Sequence, residues 1–149
     1  MKKIAIHLSA GSKLPVKSTP GSAGWDVFAS LPPDIYLEIP SGERIAVPTG
    51  LFLEIPHGYV VSLRPRSGLA LKHGLTLPNS PATIDSDYRG ELKIIMINLG
   101  KETVRINHGD RIAQLLLEKV EDFEWEVSDR ENFSQTDRGT GGFGSTGIA

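Results

Sequence analysis

Apolar and polar residues alternate over most of the chain, in short runs. Ile35, Leu37 and Ile39 alternate with Tyr36 and Glu38, and Ile45, Val47, Leu51, Leu53 and Ile55 follow, punctuated by Pro48 and Gly50. Further apolar runs cover residues 59–64, 92–98, 103–106, 112–118 and 124–127, and residues 4–8 read the same way. A period of two puts successive side chains on opposite faces of a strand. Turn signals separate the runs: Pro40-Ser41-Gly42, Pro56-His57-Gly58, Leu99-Gly100 and His108-Gly109-Asp110. Short strands at this spacing predict an all-β sandwich or barrel.

One segment breaks the pattern. Ser67-Gly68-Leu69-Ala70-Leu71-Lys72-His73-Gly74 has helix formers in the middle, two basic residues in its last turn and a closing glycine. It predicts a single short helix with Ser67 as its N-cap. Near the carboxyl terminus the composition changes, with five glycines among residues 138–147. Such a stretch cannot build a core that offsets its ordering entropy. The expected division is a β core over residues 1–131 and a flexible arm over residues 132–149.

Composition narrows the function classes. A chain of 149 residues suits one domain with a sizeable core. The net charge of −2 supplies no global basic field for nucleic acid, so any anionic ligand must be held by a local cluster. The absence of cysteine removes disulfides, thiol catalysis and cysteine metal sites. No run is long enough to cross a membrane, and the amino-terminal apolar run is too short for a signal peptide and broken by His7. A cytoplasmic protein without nucleic-acid or membrane partners is therefore expected. His7, His57, His73 and His108 lack metal-ligand spacing, so a protein-caged zinc is not expected.

Candidate chemistry concentrates between residues 79 and 93. Asp85, Asp87, Tyr88 and Arg89 occupy a tight turn between two apolar runs, where a rigid scaffold can present them. Asp85 reads either as a polar hairpin tip or as a carboxylate that activates water, with Tyr88 packed on a ligand. Pro65-Arg66-Ser67-Gly68 reads as the start of a helix or as an anion site, with a fork-shaped cation and a hydroxyl beside free N–H groups. Asp26, in Ala23-Gly24-Trp25-Asp26, caps a turn or holds a hydrated Mg²⁺. Gln114 interrupts an apolar strand and needs a partner, backbone or ligand.

Residues 139–144 have the spacing G-x-G-x-x-G, but a dinucleotide site needs a helix after it and only five residues remain. A phosphate-binding loop fails too, because Ser145 stands where its lysine belongs. Composition alone describes a solvated tail. Arg138 and Phe143 suit a lid instead, with a cation for phosphate and a ring for a base.

Five segments, in this order over residues 23–145, resemble the trimeric dUTPase (deoxyuridine triphosphate nucleotidohydrolase) family. They are Ala23-Gly24-Trp25-Asp26-Val27, Pro65-Arg66-Ser67-Gly68-Leu69-Ala70, residues 79–90, Arg111-Ile112-Ala113-Gln114-Leu115, and residues 138–145. The resemblance implies a jelly-roll-like β fold and a homotrimer with active sites at subunit boundaries, each closed by a carboxyl-terminal arm. It implies Mg²⁺-assisted hydrolysis of dUTP to dUMP and pyrophosphate, which cleanses the nucleotide pool and supplies dUMP for dTMP synthesis. It casts Asp85 as the general base and Tyr88 as the ring against deoxyribose. Asn79, with the backbone around Thr83 and Ile84, would read uracil. Arg66, Ser67, Gly68 and Gln114 would contact phosphate, and Lys93 would lie beside the nucleotide. Arg138 would meet the γ-phosphate and Phe143 would cover uracil, with Gly144 and Ser145 adjoining in the arm. Asp26 would reach the metal through water. Ala82 departs from the pattern, because many members carry glycine there; a positive φ at that position would cost alanine roughly 1–2 kcal/mol. Two alternatives stand beside this reading. One is a dCTP deaminase-like enzyme, which needs a catalytic glutamate in the hairpin region where Asp85 stands. The other is a non-catalytic, nucleotide-sensing trimer.

Overall fold

The period-two runs fold as strands. The computed structural model describes residues 2–143. Its elements are, in chain order, β1 (Ala5–Leu8), β2 (Trp25–Phe28), β3 (Tyr36–Ile39), β4 (Arg44–Glu54), β5 (Tyr59–Arg64), α1 (Ser67–His73), β6 (Leu75–Thr76), β7 (Ala82–Ile84), β8 (Glu91–Asn98), β9 (Val104–Asn107) and β10 (Arg111–Lys119). A single 3-10 turn, Arg130–Asn132, follows. The strands form two four-stranded sheets, β1-β4-β8-β6 and β2-β10-β5-β7, and a two-stranded ribbon, β3-β9. All the pairings are antiparallel, and the architecture is the expected jelly-roll-like β fold with one short helix.

Strand β8 shows why alternation places the core. Leu92, Ile94, Met96 and Asn98 point inward and are buried, while Lys93 and Ile95 face out. Leu92, Ile94 and Met96 join Val47, Leu51 and Leu53 of β4 and Val27, Leu63 and Ile112 of the second sheet in one apolar cluster. The β4–β8 register shifts between Pro48 and Phe52, because Pro48 pairs with Lys93 but Phe52 pairs with Glu91. Two extra residues on β4 form this bulge. An insertion of two keeps the parity of the pleat, so Val47, Thr49, Leu51 and Leu53 all stay inside.

Helix α1 corrects one expectation. Arg66, not Ser67, is the N-cap, with extended backbone and no side-chain cap; Ser67 is already the first helical residue. The carboxyl end is as expected. Gly74 adopts φ +69, donates to the carbonyls of Leu69 and Ala70, and lies against Gly100 so closely that no side chain fits.

Three short strands gave no readable period. β6 and β7 have two and three residues, and β2 places Asp26 between apolar neighbours. Residues 124–127, expected as a strand, form none in this chain; Trp125 and Val127 stand almost fully exposed. A strand needs a neighbour to satisfy its backbone, and here none is beside it. Ala82 lies buried in β7, outside the positive-φ region, so replacing the usual glycine costs no backbone strain.

Asn98 locks one end of the barrel. Fully buried, it donates from Nδ2 to the carbonyls of Ile39 and Glu102, each at 2.8 Å, and its Oδ1 accepts from the Gly100 N–H at 2.8 Å. Asn98→Ala would leave these groups without partners, and buried unsatisfied groups are costly. We expect a loss of at least about 2 kcal/mol, measured by denaturant unfolding at fixed protein concentration; an unchanged midpoint would contradict this role.

Candidate functional site

Strand β7 pairs with β5 through Val61–Ile84, Ser62–Thr83 and Leu63–Ala82. This register fixes the turn that follows. The Tyr88 N–H donates to the Asp85 carbonyl at 3.2 Å, and the Tyr88 hydroxyl donates to the Glu91 carbonyl at 3.0 Å. Gly90 must be small because the Tyr88 ring lies over it. Arg89 is committed to the turn, donating to the carbonyls of Ser86 (2.7 Å) and Tyr88 (3.0 Å).

A cavity of about 470 Å³ opens beside this turn, lined by Thr83, Ile84, Asp85, Tyr88 and Lys93 over an apolar floor that includes Ala46 and Leu92. The structure thus gathers five of the sequence-predicted residues in one place. Asp85 is exposed, and its carboxylate has no hydrogen-bond partner among the described residues. Lys93 Nζ lies 3.7 Å from a Glu91 carboxylate oxygen. Asn79 stands exposed in the loop before β7 and is not part of the lining.

A second cluster forms around Asp26, which is 8% exposed. Its carboxylate accepts from Ser18 Oγ (2.9 Å), Arg66 Nε (3.0 Å) and Arg111 Nη1 (3.2 Å). Arg66 also reaches the Arg111 carbonyl at 3.2 Å. A buried carboxylate without partners is heavily penalised, so the two guanidinium groups are held where they meet it. Two cations against one anion leave one formal positive charge at the edge of the barrel. Gln114, paired with Asp26 across β2 and β10, donates to the Pro65 carbonyl at 3.0 Å and so pins the strand-to-helix turn that presents Ser67 and Gly68. Its side chain lies over Gly24 and leaves no room there for a Cβ.

The two clusters do not meet in one chain. Asp85 is level with Val60 at one end of β5, and Arg66 lies beyond the other end. Six residues of extended chain separate them, roughly 20 Å. The arm residues meet neither cluster. After Val120, whose N–H donates to the Gly58 carbonyl, the hydrogen bonds of the described residues stay within the segment. Arg138 donates to its own neighbour Gly141 at 2.9 Å, and Phe143 is fully exposed. Gly144 and Ser145 lie outside the described residues.

Sequence reasoning missed Ser18, Arg111 and Glu91 as site-shaping residues. Arg111 stood at the head of a quoted motif, but only the β2–β10 pairing shows its side chain meeting Asp26. Ser18 carried no signal at all. Among the described residues no three His, Asp or Glu side chains converge as a metal cage.

The dUTPase family model matches residues 10–147. The deoxyuridine 5'-triphosphate nucleotidohydrolase of Fusobacterium nucleatum subsp. nucleatum is 49% identical over 150 residues, covering 99% of each chain. That of Roseobacter denitrificans is 54% identical over 134 residues, 90% of this chain and 86% of the relative. Among solved structures, the Staphylococcus bacteriophage 80alpha dUTPase with dUPNHPP superposes with a TM-score of 0.83 at 26% identity, over 99% of this chain and 100% of that one. With the match spanning both clusters and the intervening strands, the chain belongs to the dUTPase family.

Proposed function

We propose that the protein hydrolyses dUTP to dUMP and pyrophosphate, with Asp85 as the general base. The observation that carries this reading is the cavity that gathers Asp85, Tyr88 and Lys93 on one hairpin in a chain of this family. The Asp85 carboxylate, free of protein partners among the described residues, takes a proton from water as the water oxygen bonds to the α-phosphorus. The bond from that phosphorus to the bridging oxygen breaks, and its electron pair leaves with pyrophosphate. General-base help contributes about 10²–10⁴-fold, so positioning and charge must supply the remainder. Arg66, Ser67, Gly68 and Gln114 form the phosphate-binding side, and Asn79, Thr83 and Ile84 the base-reading side.

The Asp26 carboxylate offers about four acceptor positions, of which three are filled by Ser18, Arg66 and Arg111. It would therefore suit Mg²⁺ as an acceptor for one metal-bound water, not as a direct cage, with substrate phosphates as the main ligands. When bound, the ion supplies charge neutralisation along the triphosphate. Asp26 itself keeps Arg66 and Arg111 aimed at the phosphate side.

A complete site needs two copies. A base must lie within hydrogen-bond reach of the water that attacks the α-phosphorus, and phosphates held at Arg66 of the same chain would stand roughly 20 Å along β5 from Asp85. Residues 123–133 add support, because Phe123, Trp125, Val127 and Phe133 all stand in water in the single chain. A homotrimer that pairs the Asp85 hairpin of one protomer with the Arg66 cluster of another satisfies both observations. Residues 132–149 act as the closing arm on a core of residues 1–131, bringing Arg138, Phe143, Gly144 and Ser145 to the nucleotide. A dCTP deaminase-like reaction is disfavoured by aspartate, not glutamate, at position 85. No helix among the described residues is long and apolar enough to cross a membrane, and a cytoplasmic location agrees with the substrate.

Pyrophosphate release from dUTP with Mg²⁺ is the primary test. Asp85→Asn should bind dUTP but turn over at least about 100 times more slowly; near-normal turnover would remove Asp85 from its role. Truncation after Asp137 should leave the melting transition in place and lower kcat steeply, whereas an unchanged kcat would make the arm a mere tail. Mixing and reassembling Asp85→Asn with Arg66→Ala chains in equal amounts should restore about a quarter of wild-type activity, because one in four randomly formed sites then has both residues intact. No recovery after verified exchange would count against the shared site.

A further inference from the structure

Glu91 opens β8 directly after the turn that carries Asp85 and Tyr88. Three of its groups are engaged. Its Oε1 accepts from the Gly50 N–H at 3.0 Å, its Oε2 lies 3.7 Å from Lys93 Nζ, and its carbonyl accepts the Tyr88 hydroxyl at 3.0 Å. These contacts join the β4 bulge, the catalytic turn and the outward face of β8. The bulge is itself anchored from behind. The Gly50 carbonyl accepts from the Ser9 N–H at 2.9 Å, its φ is +65, and the Ser12 side chain fills the space a Cβ would need. The Glu91 side chain, 25% exposed, stands in the wall between the Asp85 cavity and a second cavity of about 1030 Å³.

We propose that Glu91 is a positioning residue that sets selection between deoxyribo- and ribonucleotide. The inference rests on the dUTP reading above. The Glu91 main-chain carbonyl holds the Tyr88 hydroxyl, and the Glu91 carboxylate anchors that carbonyl by bonding the Gly50 N–H and facing the Lys93 ammonium, so the ring forms a rigid wall of the nucleotide cavity. With its proton committed to the Glu91 carbonyl, the Tyr88 hydroxyl has no donor left for an additional sugar hydroxyl, and the ring face offers none. A hydroxyl pressed against such a wall loses water without gaining a partner. The penalty persists only while the ring cannot move aside or turn its own hydroxyl toward the newcomer. An apolar wall rejects an added hydroxyl by about a hundredfold, and losing its rigidity should give back a sizeable part of that factor.

The test is steady-state kinetics of the full chain with dUTP and with UTP, in Mg²⁺. Glu91→Ala should lower the dUTP-over-UTP preference in kcat/KM about tenfold, mainly through KM, while kcat on dUTP changes less. Glu91→Gln keeps an acceptor for Gly50 and should retain most of the preference. Tyr88→Phe frees the ring without touching the carboxylate and should lower the preference in the same direction. Combining it with Glu91→Ala should have less than the product of the two effects, because both act through one clamp. An unchanged preference in Glu91→Ala overturns the proposal; if that variant does not fold, an unchanged preference in Tyr88→Phe does so. A wild-type chain that releases no pyrophosphate from dUTP refutes the substrate reading and this inference with it. Wild-type turnover with unaltered preference in the variants refutes the inference alone.

Discussion

Strand β5 separates the two clusters that the proposed chemistry must join. Its pairing with β7 sets the Asp85 turn at one end, and its exit into α1 sets Arg66, Ser67 and Gly68 at the other. Neither end can move, because Val61 and Leu63 are buried between them and β10 pairs along the whole strand. A rigid strand of this kind suits a shared site. In the proposed assembly it would let each protomer present two half-sites of fixed geometry and leave the trimer to bring unlike halves together.

Each half is stiffened by a different physical device. Around Asp26 the device is charge. A nearly buried carboxylate keeps two arginines in place, because leaving it unpaired would carry a large desolvation penalty. Around Asp85 the device is backbone pairing. Tyr88 and Glu91 lock the turn through main-chain carbonyls, and the candidate base carries no such restraint on its own carboxylate. Holding the cations and the aromatic wall while leaving one carboxylate unencumbered is the arrangement that proton abstraction from water requires.

The fold was largely legible because core strands repeat a simple parity. Leu92, Ile94 and Met96 announced β8, and Gly74 announced the end of α1. What failed was short or dependent on neighbours. β6 and β7 are below the length at which a period of two can be counted. Ser67 looked like a cap by type, yet Arg66 takes the capping backbone conformation, and its guanidinium turns back to Asp26 instead of capping the helix. For the site, the motifs named Asp85, Tyr88, Lys93, Thr83 and Ile84 together, and the cavity gathers them. Glu91 and Ser18 were invisible because their roles come from partners distant in the fold: Gly50 across a bulge, and a carboxylate shared with two arginines.

Residues 124–127 carry the sharpest disagreement between pattern and chain. Their alternation is that of a strand, but Trp125 and Val127 stand in water, and Phe123, itself largely exposed, meets the Trp125 ring edge-on at 5.0 Å between centroids. Propensity for a strand is realised only where a sheet edge and an apolar surface receive it. An apolar recess of about 300 Å³ lies beside Trp25, Leu53 and Leu115, but beyond Val120 no backbone hydrogen bond of the described residues joins the segment to the barrel. On the shared-site proposal, the alternation belongs to the assembly and not to the single chain. Reading it as a local secondary-structure signal places a strand where the described chain forms none.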